Sequence, residues 1–257
     1  MWLAAAAFKG ACMRRFFIDA PISETMIIDG ADARHIASVL RLTAGAILLV
    51  SGQDRKAGKA EITKASPEVI HLRLLELIED KTEPPLAVYL VQGLSKGEKM
   101  DFIVQKAVEL GVHGLIPVVT EHCVVKYDLA KQADKVARWQ KIAREAAKQC
   151  GRSYIPQIFP VTRLDDVISN KEFVSATKIM LYEGQASQGL KQTLVETGRN
   201  TYLLLIGPEG GFSSDEVEFC QEHRVKIVTM GPRIMRTETA ALAALTAVMY
   251  QCGDLGG

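Results

Sequence analysis

The sequence is short of everything that would staple it or carry it across a membrane. Its five cysteines (Cys12, Cys123, Cys150, Cys220, Cys252) are odd in number and far apart, with no C-x-x-C pair. That spacing excludes a disulfide framework or a zinc knuckle and points to a reducing compartment, the cytoplasm. The longest uncharged apolar stretch, Thr239 to Gly253, falls short of the roughly 20 residues a bilayer span takes. The amino-terminal MWLAAAAFKGAC has no basic segment ahead of its alanines, so it does not read as a signal peptide. Residues 1–12 read instead as an extension, from an upstream start or foreign to the natural protein. Neither sign of charge is in excess: 31 Lys and Arg stand against 30 Asp and Glu, a net charge of +1. Any nucleic-acid affinity therefore has to come from local clusters.

Familiar catalytic signatures are missing too. No G-x-G-x-x-G follows the first strand and no G-x-x-x-x-G-K-[ST] occurs, which excludes the dinucleotide fingerprint and the P-loop. H-E-x-x-H and G-x-S-x-G are also absent. The five histidines (His35, His71, His113, His122, His223) show no ligand spacing, so no metal is expected. Each reads as a surface or capping residue.

What remains is a foldable chain of 257 residues, 48% hydrophobic and 24% charged, without low-complexity tracts or internal repeats. It is long enough for one large domain or two small ones. The clearest seam is Glu79-Asp80-Lys81-Thr82-Glu83-Pro84-Pro85, charged and ending in two prolines. Before it, strands are predicted over Arg14–Ile18, Ile47–Val50, Lys59–Thr63 and Val69–Leu77, with one helix over Ala33–Leu40. Short strands with turn signals suggest a small barrel. After the seam, apolar runs at Ala87–Val91, Leu115–Val119, Lys178–Tyr182, Tyr202–Ile206 and Lys226–Met230 alternate with helical patterns such as Met100–Leu110. That rhythm predicts a mostly parallel α/β sheet with helices on its faces.

Three strand-to-loop turns carry the chemistry. Leu203-Leu-Leu-Ile-Gly-Pro-Glu-Gly-Gly-Phe-Ser213 runs a buried strand into Gly207-Pro208-Glu209-Gly210-Gly211, then into Ser213-Ser214-Asp215-Glu216, a capping box that opens a helix. The loop is either an ordinary tight turn or a ligand cradle, and three glycines around an acid favour the cradle. Open α/β sheets bind ligands at the carboxyl ends of their strands, where this loop falls. Met230-Gly231-Pro232-Arg233-Ile234-Met235-Arg236-Thr237-Glu238-Thr239-Ala240 repeats the design ahead of an alanine-rich helix, Ala240–Tyr250. Thr237 suits an N-cap and Glu238 suits the positive helix end. Arg236 has no such structural role and wants an anion. Leu181-Tyr182-Glu183-Gly184 is the third turn, and the three together read as one site. Separately, residues 131–152 hold seven Lys or Arg (131, 135, 138, 141, 144, 148, 152) against Asp134 and Glu145. They form either a solvated helix or a face that tracks phosphates. Arg14, Arg15, Arg34 and Arg41 add a candidate patch on the small β unit.

At these loops the sequence resembles the SPOUT-class RNA methyltransferases, and within them the bacterial enzymes that methylate uridine N3 in small-subunit (16S) ribosomal RNA. LLLIGPEGGF and MGPRIMRTETAALAAL carry the resemblance. Met13-Arg14-Arg15-Phe16-Phe17, the segment His35 to Leu42, Lys96-Gly97-Glu98-Lys99-Met100, the segment Gln105 to Gly111 and Trp139-Gln140-Lys141-Ile142-Ala143 support it. It runs from Met13 to about Asp254, with Pro160–Lys178 matching in pattern alone. The resemblance implies a PUA-like RNA-binding barrel over 13–82 and a SPOUT domain with a trefoil knot over 86–254. It also implies a homodimer that uses S-adenosyl-L-methionine, with ribosomal RNA or the small subunit as partner. The cofactor would lie against Leu181, Tyr182, Glu183, Ile206, Gly207, Pro208, Gly210, Gly211, Met230, Gly231, Ile234, Met235, Arg236, Thr237 and Ala240. Arg236 would steady the ionised base or a phosphate. Glu238 would accept the N3 proton, or serve as a helix-start residue that orients Arg236. RNA would meet Arg14, Arg15, Arg34, Arg41, Lys96, Lys99, Arg144, Lys148 and Arg152. Two other readings stand beside this one: a non-catalytic RNA-binding or assembly factor, and a protein whose Gly207–Gly211 loop binds a small nucleotide.

Overall fold

The structure is a computed structural model that describes residues 14–256 apart from 80, 126, 185, 187 and 197–199. The extension expected over residues 1–12 lies outside the described residues. The chain divides into two units. One runs to Glu83 and takes in Gly151–Tyr154; the other comprises Pro84–Cys150 and the chain from Ile155 onward.

In the first unit, β1 (Arg15–Phe17), β2 (Thr25–Asp29), β3 (Ile47–Ser51), β4 (Ala57–Ala65) and β5 (Val69–Ile78) form one sheet in the order β1-β3-β4-β5-β2. The β1–β3 pair is parallel and the rest are antiparallel. The strand β2 is an addition to the sequence reading, yet its residues alternate as a strand with one wet face should: Met26 and Ile28 are buried, Thr25, Ile27 and Asp29 exposed. The helix expected over Ala33–Leu40 starts earlier, as α1 (Gly30–Arg34), and continues as a π-helical turn over His35–Val39. It contributes Ala33 and Ile36 to a core with Phe16, Ile28, Leu48, Val50, Ile62 and Leu72. The expected barrel is an open, curled sheet, because β1 and β2 remain its two edges.

Glu83 organises the end of this unit. Its carboxylate accepts bonds from the Arg152 guanidinium at 2.6 to 3.2 Å and from the backbone N–H groups of Ser153 and Tyr154, each at 3.1 Å. Arg55 lies over the Tyr154 ring, 4.3 Å from its centroid. Arg152 is only 4% exposed, which corrects the expectation that it meets RNA. A buried guanidinium must be paired internally, and Glu83 is its partner.

The second unit is built around eight strands: β6 (Ala87–Gly93), β7 (Gly114–Val119), β8 (Gln157–Ile158), β9 (Thr162–Arg163), β10 (Thr177–Leu181), β11 (Gln188–Gly189), β12 (Thr201–Ile206) and β13 (Lys226–Thr229). Their order is β11-β13-β10-β12-β6-β7-β8 with β9 beside β7, and every pair is parallel. The central strands are apolar along their length, as burial on both faces requires: Val88, Leu90 and Val91 in β6 and Tyr202 to Ile206 in β12 are all buried. The helices are α2 (Lys99–Glu109), α3 (Leu129–Cys150), α4 (Leu164–Ser169), α5 (Leu190–Glu196), α6 (Ser214–Glu222) and α7 (Thr237–Cys252). In α2 the residues with helical spacing, Met100, Ile103, Val104, Ala107 and Val108, are the buried ones. The predicted capping box opens α6, where Ser213 Oγ accepts from the Glu216 N–H and the Glu216 carboxylate accepts from the Ser213 N–H. Parallel strands with helical crossovers in one unit and a small, mostly antiparallel sheet in the other are the mostly parallel α/β domain and the small β domain that the sequence led us to expect.

Candidate functional site

Strand β10 lies between β12 and β13, and register fixes where all three end. Met180 pairs with Leu205, and Leu181 pairs with Val228. Three parallel strands in step must release their loops at the same sheet edge. The loops starting at Leu181, Ile206 and Thr229 therefore converge, and they enclose a cleft of about 510 Å³. All the residues assigned to the cofactor line it except Gly210. Gly210 faces away: its carbonyl accepts a 3.0 Å bond from His122 Nδ1, and a side chain there would meet His122.

The loops are fixed by contacts that demand particular residue types. Gly93, at the end of β6, sits so close to Pro208 that a Cβ would lie 2.5 Å from the proline N and Cδ. Gly211 has φ +70, a backbone conformation that favours glycine. The first turn of α7 is tied down more directly. Gln92 Nε2 donates to Thr237 Oγ1 at 2.9 Å, and the Thr237 hydroxyl donates to the Gly207 carbonyl at 2.6 Å. Thr237 is thus not the N-cap. Arg236 occupies that position without a side-chain cap, while Thr237 is buried and bridges two loops. Gln92 escaped the sequence reading, although a glutamine ending an otherwise apolar strand is a signal of a polar task. Its Oε1 is buried and accepts no hydrogen bond among the described residues.

Charge concentrates at one wall. Lys99 Nζ lies 3.0 Å from Glu209 Oε1 and 3.5 Å from Glu238 Oε2. Glu209 also accepts from the Lys96 N–H at 3.1 Å. The hydrogen bond from Lys99 to Glu209 is the main influence on the ammonium and, with the attraction of both carboxylates, raises its pKa above the ordinary lysine value despite burial. Burial works against ionisation of Glu209, but the bonds from Lys99 and from backbone N–H groups outweigh it and lower its pKa. Arg236 is exposed at the cleft, and no described carboxylate pairs with it. Phe212, Val228, Thr229, Pro232 and Arg233 complete the lining; most lie one or two positions from residues that were named.

The residues expected to meet RNA fall into three groups. Arg14 and Arg34 flank His35, with Arg14 Nη1 3.4 Å from His35 Nε2, while Arg15 donates to Ser51 Oγ at 3.1 Å. Arg41 is exposed with φ 53. Lys96 and Lys99 lie at the cleft-side start of α2, Lys96 exposed. On α3, Lys148 pairs with Glu145 at 3.1 Å and Arg138 with Asp101, and Arg144 is half-buried. Lys131, Lys135 and Lys141 pair with no described carboxylate; Lys131 and Lys135 lie 5.5 and 5.8 Å from the centre of the Tyr127 ring. Among the described residues no cluster of side chains has the make-up of a metal site, and no helix is long and apolar enough to cross a membrane.

Comparison with known proteins gives a consistent result. A family model described as RNA methyltransferase domain matches residues 82–249, and one described as RNA methyltransferase PUA domain matches residues 28–75. The chain is 34% identical over 255 residues to ribosomal RNA small subunit methyltransferase E of Bacillus subtilis, covering 95% of this chain and 99% of that one. It is 32% identical to the protein of the same name from Buchnera aphidicola, covering 91% and 94%. Among solved structures, ribosomal RNA small subunit methyltransferase E from Neisseria gonorrhoeae bound to S-adenosyl methionine superimposes with a TM-score of 0.82 at 30% identity, covering 95% and 99%.

Proposed function

The chain belongs to the RNA methyltransferase domain family, and on that premise we propose that it transfers the methyl group of S-adenosyl-L-methionine to N3 of a uridine in small-subunit ribosomal RNA. The observation that carries this reading is the convergence of three loops on one cleft at the carboxyl edge of the parallel sheet. The names of the Bacillus and Buchnera relatives supply the RNA, and the ligand of the Neisseria protein supplies the methyl donor.

The cleft fits that donor. Its volume of about 510 Å³ lies within the range of small-molecule sites. Leu181 and Met230 offer apolar surface along the cleft, while the Glu183 carboxylate suits a cationic ligand. Bound there, adenosylmethionine supplies an electrophilic methyl group on a sulfonium. The protein's share is alignment, because in-line displacement depends on placing nucleophile, carbon and sulfur together.

Uridine N3 carries a proton and is a poor nucleophile until that proton leaves. Glu238 accepts it, and Arg236, exposed and free of carboxylate partners among the described residues, binds an RNA phosphate or the ionised base. Arg14, Arg15, Arg34 and Arg41 in the first unit and Lys96, Lys131, Lys135 and Lys141 in the second contact the RNA backbone. The enzyme works in the cytoplasm as a homodimer, consistent with the exposure of Ile234 and Tyr250 and with the small side chains along α7.

The test is methyl transfer from labelled adenosylmethionine to small ribosomal subunits from cells lacking the endogenous activity, with the product nucleoside identified by mass spectrometry. The expected product is 3-methyluridine. Cofactor binding without transfer would show that the substrate is wrong. Loss of both would return the chain to a non-catalytic RNA-binding role.

A further inference from the structure

Lys99, Glu209 and Glu238 come from α2, from the loop after β12 and from the first turn of α7, and they are unequal partners. Glu209 is held twice, by Lys99 Nζ at 3.0 Å and by the Lys96 N–H at 3.1 Å. The Glu238 contact is longer, 3.5 Å, and Glu238 Oε2 is buried yet accepts no hydrogen bond among the described residues. A buried carboxylate oxygen served only by so long a contact with an ammonium is under-satisfied, and a ligand that brings a hydrogen would complete it. An ammonium has three N–H donors and Glu209 takes one, so Lys99, which lines the cleft, has donors to spare. With two carboxylates to one ammonium, the cluster carries one negative charge in excess. The ligand that completes it carries an N–H beside a carbonyl, the arrangement of an imide such as uracil.

Resting on the uridine-N3 reading above, we infer that Lys99 is a catalytic residue: it donates to the uracil carbonyl beside N3 while Glu238 takes the N3 proton, and Glu209 anchors Lys99 for this task. The N3–H bond breaks and its proton passes to Glu238 Oε2. The electron pair left on N3 forms the new N–CH3 bond as the sulfur–methyl bond breaks onto sulfur, leaving a neutral thioether. Glu238 afterwards releases its proton to water. Negative charge thus moves from Glu238 to the uracil within reach of one ammonium, so the ionised base has a counter-charge in the cleft from the moment it forms. The unequal distances suit the exchange, since Lys99 keeps its short bond to Glu209 while its looser contact passes from carboxylate to substrate. Glu209 and Glu238 are the charged groups that bear on Lys99, and together they keep it a cation. Arg236 is exposed and lacks any such anchor, which suits it to a phosphate.

The test compares wild type with Lys99→Met, Lys99→Arg and Glu209→Gln in single-turnover methylation of small subunits reconstituted around transcribed RNA. The RNA carries either uridine or 5-fluorouridine, whose N3–H is more acidic, and adenosylmethionine binding is measured in parallel. Lys99→Met is expected to slow uridine methylation about 100-fold, with cofactor affinity changed by a few-fold at most. The deficit should shrink with 5-fluorouridine and with rising pH, because both ionise N3 without help. Lys99→Arg should retain part of the rate. Glu209→Gln, a second variant should Lys99→Met fold poorly, should show a smaller loss with the same rescue. A deficit equal for both nucleosides and at every pH would overturn the role, as would a loss of cofactor binding in proportion to rate. A wild-type enzyme that makes no 3-methyluridine would overturn the uridine-N3 reading itself, an outcome read before any variant is compared.

Discussion

The hydroxyl of Thr237 donates a 2.6 Å hydrogen bond to the carbonyl of Gly207, joining the start of α7 to the loop after β12. Gln92, at the end of β6, donates to the same hydroxyl at 2.9 Å. One side chain therefore holds two walls of the cleft to the central strand, and the walls keep their spacing only while it does.

Thr237→Val keeps the shape and deletes the bridge. It strips the Gly207 carbonyl of its donor and removes one of the two acceptors of Gln92 Nε2, which keeps its bond to the Gly93 carbonyl, at a cost of about 1–3 kcal/mol. Adenosylmethionine affinity should fall by about tenfold or more, and the unfolding midpoint in urea should drop. Titration calorimetry and urea melts measure the two effects; an unchanged affinity would show that the bridge does not shape the cleft.

Glu209 sets a pH window. Its pKa is lowered from the ordinary 4.5, so its contribution to stability is present above that value and is lost as pH falls through the lower folded value. The Lys99 pKa is raised from 10.5, so its contribution holds below 10.5 and is lost as pH rises beyond it. The stability difference between wild type and Glu209→Gln should be flat from about pH 5 to pH 10 and shrink outside that range. Denaturant melts across pH give the curve, and a difference that varies through neutrality would contradict the ion pair.

Arg152 tests a structural role in place of an RNA contact. Arg152→Ala should cost about 2–3 kcal/mol, because it leaves the Glu83 carboxylate with backbone donors but no counter-charge and empties a buried site. Arg152→Lys should recover only part, lacking the two-pronged geometry. Urea unfolding measures both, and a loss of RNA affinity without loss of stability would restore Arg152 to the interface.

Lys131, Lys135 and Lys141 are the α3 cations without described carboxylate partners. If they meet phosphates, replacing all three with alanine should lower the slope of log K against log salt by about 2, at roughly 0.7–0.9 per contact. An unchanged slope in RNA-binding titrations would mean that α3 is merely solvated.

Much of this architecture is legible locally. The apolar runs of β6, β12 and β13, the helical spacing of α2 and the Ser213–Glu216 capping box are all readable because each depends on residues a few positions apart. Strand β2 was readable too, since Met26 and Ile28 alternate with Thr25, Ile27 and Asp29, but its segment is short and lies beside a helix signal. Thr237 misled for a physical reason: a threonine before an acid at a helix start has the pattern of a cap whatever its hydroxyl reaches.

By itself, then, the sequence determined the element types, the glycine turns and the family resemblance. Tertiary structure decided which polar groups meet. Gln92 finds Thr237 145 positions away, and the Lys96 N–H finds Glu209 113 positions away. Such pairs arise from strand order and register, which bring distant loop ends to one edge of the sheet, and no short stretch of sequence encodes that order.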